Sequence, residues 1–149
     1  MQNVFDEAVR RSLLERLDRL QPASPRRWGK MDPAQMMAHC SAVLETATGQ
    51  TPRRQSLLGK LVTPFIRKMV LGEKPFQKGA PTDPTFLVPD ERDFAAEKAR
   101  LAGLVEALCR RGPAEAAKNP HVFFGKLSGE EWGVLTFKHL DHHLRQFGV

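Results

Sequence analysis

Two imidazoles four residues apart, His139 and His143, lie in the closing stretch Ser128 to Gly148, SGEEWGVLTFKHLDHHLRQFG. Side chains at that spacing are neighbours on a helix, about 5–6 Å between Cβ atoms. Two such rings can converge on one metal ion at about 2.0–2.1 Å per Zn–N bond. The stretch carries the helix signals this chemistry needs. Ser128 with Glu131 three residues on forms a capping box, and no Pro or Gly interrupts Val134 to Phe147. At about 100° per residue, Trp132, Leu135, Thr136, His139, Leu140, His143, Gln146 and Phe147 share one face, with Lys138, Asp141 and Arg145 opposite. The histidines therefore turn inward within a mostly apolar stripe. His142 sits at its edge, a poorer ligand three residues from His139. The competing reading is a pair of core histidines bonded to neighbours or water.

A third imidazole comes from another helix. Asp32-Pro33-Ala34-Gln35 is a helix start, with a capping Asp, a Pro at the first position and Gln35 closing a capping-box variant. Met36, Met37, Cys40, Val43, Leu44 and Ala47 then mark a buried face with His39 at its edge. Alone, His39 reads as a semi-buried structural histidine; beside an inward HxxxH it is the natural third ligand. Three neutral imidazoles leave a position for water or substrate, as catalytic metal sites do. Gln146 is the candidate for bonding a metal-bound group or orienting a ligand ring. Imidazole suits Zn, Ni, Cu and Fe alike; Zn or Ni are the first choices of metal, with Fe, Mn or Cu as further candidates. Cys40 lies on the apolar face and reads as a small buried residue.

The remaining pattern supplies helices to hold these residues. Residues 3–20 repeat apolar positions at three and four and end before Pro22. Trp28, in the connection that follows, reads as a packing anchor. Leu58, Leu61, Val62, Phe65, Ile66, Met69 and Val70 mark an added amphipathic helix with Pro64 expected to kink or split it. Its other face carries Lys60, Arg67 and Lys68, so it either packs on the core, covering a pocket, or meets a partner or membrane. Gly72 to Pro89, with Pro75, Pro81, Pro84 and Pro89, is an irregular loop and a candidate pocket rim. A helix capped by Asp90 runs over about residues 91–111 and stops at Gly112-Pro113. His121, beside Pro120, reads as a loop or surface residue.

At 149 residues the chain suits one domain, residues 1–149. Two cysteines make no disulfide framework, the first residues lack a signal-peptide layout, and no apolar run could span a bilayer. A cytoplasmic protein without stable membrane insertion is expected. The net charge of +6 is scattered in pairs such as Arg26–Arg27 and Arg110–Arg111, and no nucleic-acid motif appears, so nucleic acid is not an expected partner. A small-molecule substrate is.

Two blocks carry a family resemblance: Trp28-Gly-Lys-Met-Asp-Pro-Ala-Gln-Met-Met-Ala-His39, and Pro120 to Trp132 running into Lys138-His-Leu-Asp-His-His-Leu-Arg-Gln-Phe147. The chain resembles the DinB/YfiT-like superfamily, and most closely its branch known as domain of unknown function 1569. The resemblance implies an all-α fold: a four-helix bundle of up-down-down-up order, with the extra amphipathic helix and long loop between helices 2 and 3. It implies one divalent metal held by His39, His139 and His143. Some superfamily members are similar to thiol-dependent metalloenzymes, including bacillithiol and mycothiol transferases and a maleylpyruvate isomerase. A metal-dependent thiol S-transferase or hydrolase, using a low-molecular-weight thiol, is thus one expectation, and a homodimer is compatible with it. A non-catalytic, metal-stabilised binding or stress-response module is the alternative. Few inward carboxylates are available as a base; Glu45 is one, and it falls off the apolar side.

Overall fold

The computed structural model describes residues 1–79 and 82–149. Pro81, one of the prolines expected to keep the long connection irregular, lies outside the described residues. Every described element is helical. They are α1 (Glu7–Arg19), α2 (Pro33–Ala47), α3 (Leu57–Leu71), a single 3-10 turn at Pro84–Phe86, α4 (Phe94–Arg111), α5 (Pro113–Ala116) and α6 (Gly129–Gln146).

Caps set the boundaries. In α2 and α6 the expected capping boxes are complete: Asp32 with Gln35, and Ser128 with Glu131, exchange side-chain and backbone bonds in both directions. Two helices start later than the sequence reading placed them. Asp6 accepts from the backbone of Ala8 and Val9, so α1 opens at Glu7. Asp93, not Asp90, accepts from Ala96, so α4 opens at Phe94. Val4 and Phe5 carry the apolar pattern upstream of the α1 cap, and Asp90 offers an earlier cap for α4, but the Asp side chain that satisfies the free N–H groups decides where helix begins.

Helix α2 packs on α4 and α6, and α1 packs on the same two. The core between them includes Leu13, Leu17, Met36, Met37, Leu101, Leu108, Leu140 and Leu144. Trp132 is fully buried, and its Nε1 donates to the Asn119 carbonyl at 3.0 Å. Helix α2 is buried nearly all round, including Ala34, Ala38 and Ser41, so it is a central helix rather than a one-faced one. This central placement buries His39 instead of leaving it at an edge.

Helix α3 corrects two expectations. Pro64 does not split it; Pro64 is exposed, so its missing N–H falls on the solvent side. Its apolar residues divide: Ile66, Val70 and Leu71 pack against the core, while Leu57, Leu58, Leu61, Phe65 and Met69 are exposed. Gly59 and Thr63 are its buried residues, and Thr63 Oγ1 donates to the Phe123 carbonyl at 2.8 Å. A Cβ on Gly59 would lie 2.4 Å from the same carbonyl oxygen, so only glycine permits this approach. Arg67 pairs with both carboxylate oxygens of Glu131 at 2.6 and 2.8 Å. Lys138, placed on the outer face of α6 by the wheel, is buried because α3 ends against it. Its Nζ donates to the carbonyls of Val70 and Gly72, which the end of α3 leaves free. No helix among the described residues is long and apolar enough to cross a membrane.

Candidate metal centre

The sequence-derived ligand residues meet. Nitrogen atoms of His39, from α2, and of His139 and His143, from α6, all lie within 4.8 Å of one another. The three ring centroids are 4.8 to 4.9 Å apart, a near-equilateral triangle. Helical spacing brings His139 and His143 together; packing of α2 against α6 adds His39. His39 and His143 are buried, and His139 is partly exposed.

Backbone carbonyls fix which nitrogen of each buried ring faces inward. His39 Nδ1 lies 2.9 Å from the Phe86 carbonyl oxygen. A carbonyl only accepts, so Nδ1 carries the proton and Nε2 presents a lone pair. The same logic runs one step longer at His143. Gln146 Nε2 donates to the Trp28 carbonyl at 2.7 Å, which settles the orientation of the amide. Gln146 Oε1 then faces His143 Nδ1 at 2.9 Å, so that nitrogen holds the proton and Nε2 is free to ligate. Such outer partners orient ligand imidazoles in metal sites generally.

His39 Nε2 and His139 Nε2 are 2.9 Å apart. With His39 Nε2 a lone pair, neutral His139 must donate there, or a cation must replace that proton while His139 carries its own on Nδ1. Two nitrogens on a tetrahedral zinc would stand about 3.4 Å apart at about 2.1 Å per bond. The rings need to open by about half an ångström, well within side-chain adjustment. All three resist protonation. Burial lowers His39, against the pull of its Phe86 bond. Burial, then repulsion from His143 and His39, lowers His139 well below its ordinary value. Burial, then His39, lowers His143 to about 3. The donor set is three neutral imidazoles, which fits a divalent ion of intermediate softness.

The supporting shell was only partly visible in the sequence. Gln146 stands where expected. The two carbonyls did not stand out, because a carbonyl has no residue type. Phe86 belongs to the irregular connection expected to rim a pocket, and it is buried against Val43 and Val122. Trp28 was read as an anchor; its ring does lie 5.4 Å from His142, but its backbone is what reaches Gln146. Gly29 is the residue that was missed. It has φ 78°, and a Cβ there would stand 2.4 Å from Gln146 Nε2. Its signal was its place beside Trp28 in the first block that carries the family resemblance. We expect Gly29→Ala to push Gln146 off the Trp28 carbonyl and lower metal affinity about 10–100-fold, as loss of orienting partners does. Competition titration against a chelating dye measures this, and unchanged affinity would refute the relay.

Other candidates fall outside the cluster. His142 lies tilted against Trp28 and Phe76, with ring centroids 5.4 and 6.0 Å away. Glu45 is held by Arg100 and Thr51, so it offers no base to the histidines. Cys40 is fully buried beside Met36 Sδ at 3.8 Å, and burial pushes its thiol up, leaving an inert core residue. His121 is not on the surface. It is buried in a tight turn closed by paired backbone bonds with Gly125, and its Nδ1 accepts from the N–H groups of Phe123 and Phe124 at 3.0 and 3.2 Å.

A family model described as a protein of unknown function, DUF1569, matches residues 6–148. No curated protein and no solved structure matches the chain.

Proposed function

Since the chain belongs to the DUF1569 family, whose description assigns no activity, we propose a function from the histidine site itself: a metal-binding protein that holds one divalent ion through His39, His139 and His143, and a metalloenzyme of thiol-transfer or hydrolytic type. The observation that carries this reading is the convergence of three imidazole nitrogens from two helices within 4.8 Å. Only residues of the chain are needed to prepare the site. Phe86 and Gln146 keep protons on the outer nitrogens of His39 and His143, and burial keeps the rings neutral. When bound, the ion would supply Lewis acidity, lowering the pKa of a thiol or water at its vacant position. Zn and Ni are the first candidates, and a low-molecular-weight thiol is the proposed co-substrate.

On this reading residues 1–149 are one DinB/YfiT-like domain. Helices α1, α2, α4 and α6 are the staves of an up-down-down-up four-helix bundle, in a cytoplasmic protein acting on a small molecule. What supports it is that α1 and α2 each pack on both α4 and α6. A second reading, a metal-stabilised module without turnover, is favoured by one observation. Among the described residues no Asp or Glu joins the histidine cluster, so no carboxylate stands ready as a general base.

Elemental analysis of the purified protein, with the triple variant His39→Ala/His139→Ala/His143→Ala alongside, tests the site. We expect about one divalent ion per chain in the first and none in the second. Equal metal content in both would sink the site. A screen of the loaded protein with thiols and electrophiles separates the two readings. Turnover that His139→Ala abolishes supports the enzyme, and none above that variant supports the module.

A further inference from the structure

Helix α3 turns Gly59, Thr63 and Arg67, with the partly buried Ile66 and Val70 beside them, toward the protein, and leaves a further apolar stripe toward solvent. At about 100° per residue, Gly59, Thr63 and Arg67 line one side, and all three are tied to the body: Gly59 and Thr63 at the Phe123 carbonyl, Arg67 at Glu131. On the other side Leu57, Leu61 and Phe65 are 85, 71 and 82% exposed, and Leu58 and Met69 beside them 58 and 55%. An apolar stripe of this kind is ordinarily covered in a working protein. It cannot roll inward here without breaking the bidentate Arg67–Glu131 pair and the Lys138 bonds at the C-terminal end of the helix.

Charge identifies the occupant. Helix α3 contains no acidic residue; Lys68 lies within the exposed arc and Lys60 at its border, both exposed, and Arg53 and Arg54 precede the helix. An amphipathic helix with an apolar stripe and flanking cations is the form that lies in the interface of an anionic bilayer. A second copy fits less well. Antiparallel pairing on the same stripe would set Lys60 of one copy against Lys68 of the other, with no carboxylate on either helix to compensate, between chains that each carry +6.

We propose that the exposed stripe of α3 docks this protein peripherally on anionic phospholipid surfaces. Leu57, Leu61 and Phe65 enter the boundary between headgroups and acyl chains, and Lys60 and Lys68 face lipid phosphates. The helix lies along the surface rather than across the membrane, in keeping with its length and with the absence of a crossing helix among the described residues. This inference is independent of any metal at the histidines.

Co-sedimentation of the full chain with phosphatidylglycerol–phosphatidylcholine vesicles, and with pure phosphatidylcholine vesicles, tests it. Partitioning should favour the anionic vesicles by about 10–100-fold at low salt, as two or more surface cations imply, and decline as salt rises. Leu61→Glu/Phe65→Glu should remove binding. Lys60→Glu/Lys68→Glu should remove the anionic preference. All four side chains are exposed, so circular dichroism should show unchanged helix content in both variants. The proposal is overturned if wild type fails to sediment with anionic vesicles, or if it binds both vesicle types equally. It is also overturned if light scattering shows a dimer that Leu61→Glu/Phe65→Glu converts to monomer, since a second copy then covers the stripe.

Discussion

Zinc or nickel at one hundred times its dissociation constant should raise the thermal midpoint of this protein by about 5–11 °C. Binding to the folded state alone stabilises by about 2.7 kcal/mol at that ratio. For a chain of this size about 1 kcal/mol moves the midpoint by about 2–4 °C. The physical source is local. His39 and His143 are buried with outer protons fixed on Nδ1, so their inward lone pairs converge where, among the described residues, no protein donor other than His139 meets them. The unfolded chain holds no such arrangement and binds the ion poorly by comparison. Differential scanning fluorimetry of metal-stripped protein, with and without added metal, reads the shift directly. The triple alanine variant should show none. An equal shift in wild type and variant would mean that the ion binds elsewhere.

Acid should unfold the protein through the same burial. Burial holds the folded His121 imidazole to about 4, against an ordinary value of 6.5 and a partly offsetting attraction to Asp83. Its Nδ1 accepts two backbone N–H groups, a role only the neutral ring can fill. Below pH 6.5 the unfolded chain takes up a proton there while the folded chain does not, so stability falls as pH falls. The contribution is complete above about pH 6.5 and gone once pH drops through about 4. At about 1.36 kcal/mol per pH unit it amounts to roughly 3 kcal/mol. About 2 kcal/mol of that is lost between pH 7 and 5. His143, lowered to about 3, acts in the same direction over a wider window, and protonation of the ligand rings also expels a bound ion. Urea midpoints at pH 7 and pH 5, for metal-free wild type and His121→Asn, measure it. The variant should lose about 2 kcal/mol less than wild type over that interval. Identical pH dependence would show that His121 is free to protonate in the fold.

The two predictions differ in how far ahead of the structure they could be seen. The HxxxH pair, the inward stripe of α6 and the capping boxes at Asp32 and Ser128 depend on neighbours within a turn or two, and each stands where spacing put it. His39 could be paired with them because it, too, shared a face with apolar residues. His121 could not be read this way. It lies in a turn with no period, and its burial comes from Trp132 and Phe124, whose rings lie 5.3 and 5.0 Å away.

Periodicity determined by itself that this chain is helical, where most of its helices lie, and which residues of each share a face. It also brought two of the three imidazoles together, since a helix places residues four apart side by side whatever surrounds it. Tertiary structure alone decided which face of α3 meets the body. There Thr63 and Arg67 find partners in Phe123 and Glu131, and those contacts turn Leu57, Leu61 and Phe65 outward while Ile66 and Val70 stay against the core. The same holds at the histidines, where the groups that aim the rings are the carbonyls of Phe86 and Trp28. Every residue carries such a carbonyl, so only its position in the folded chain gives it a role.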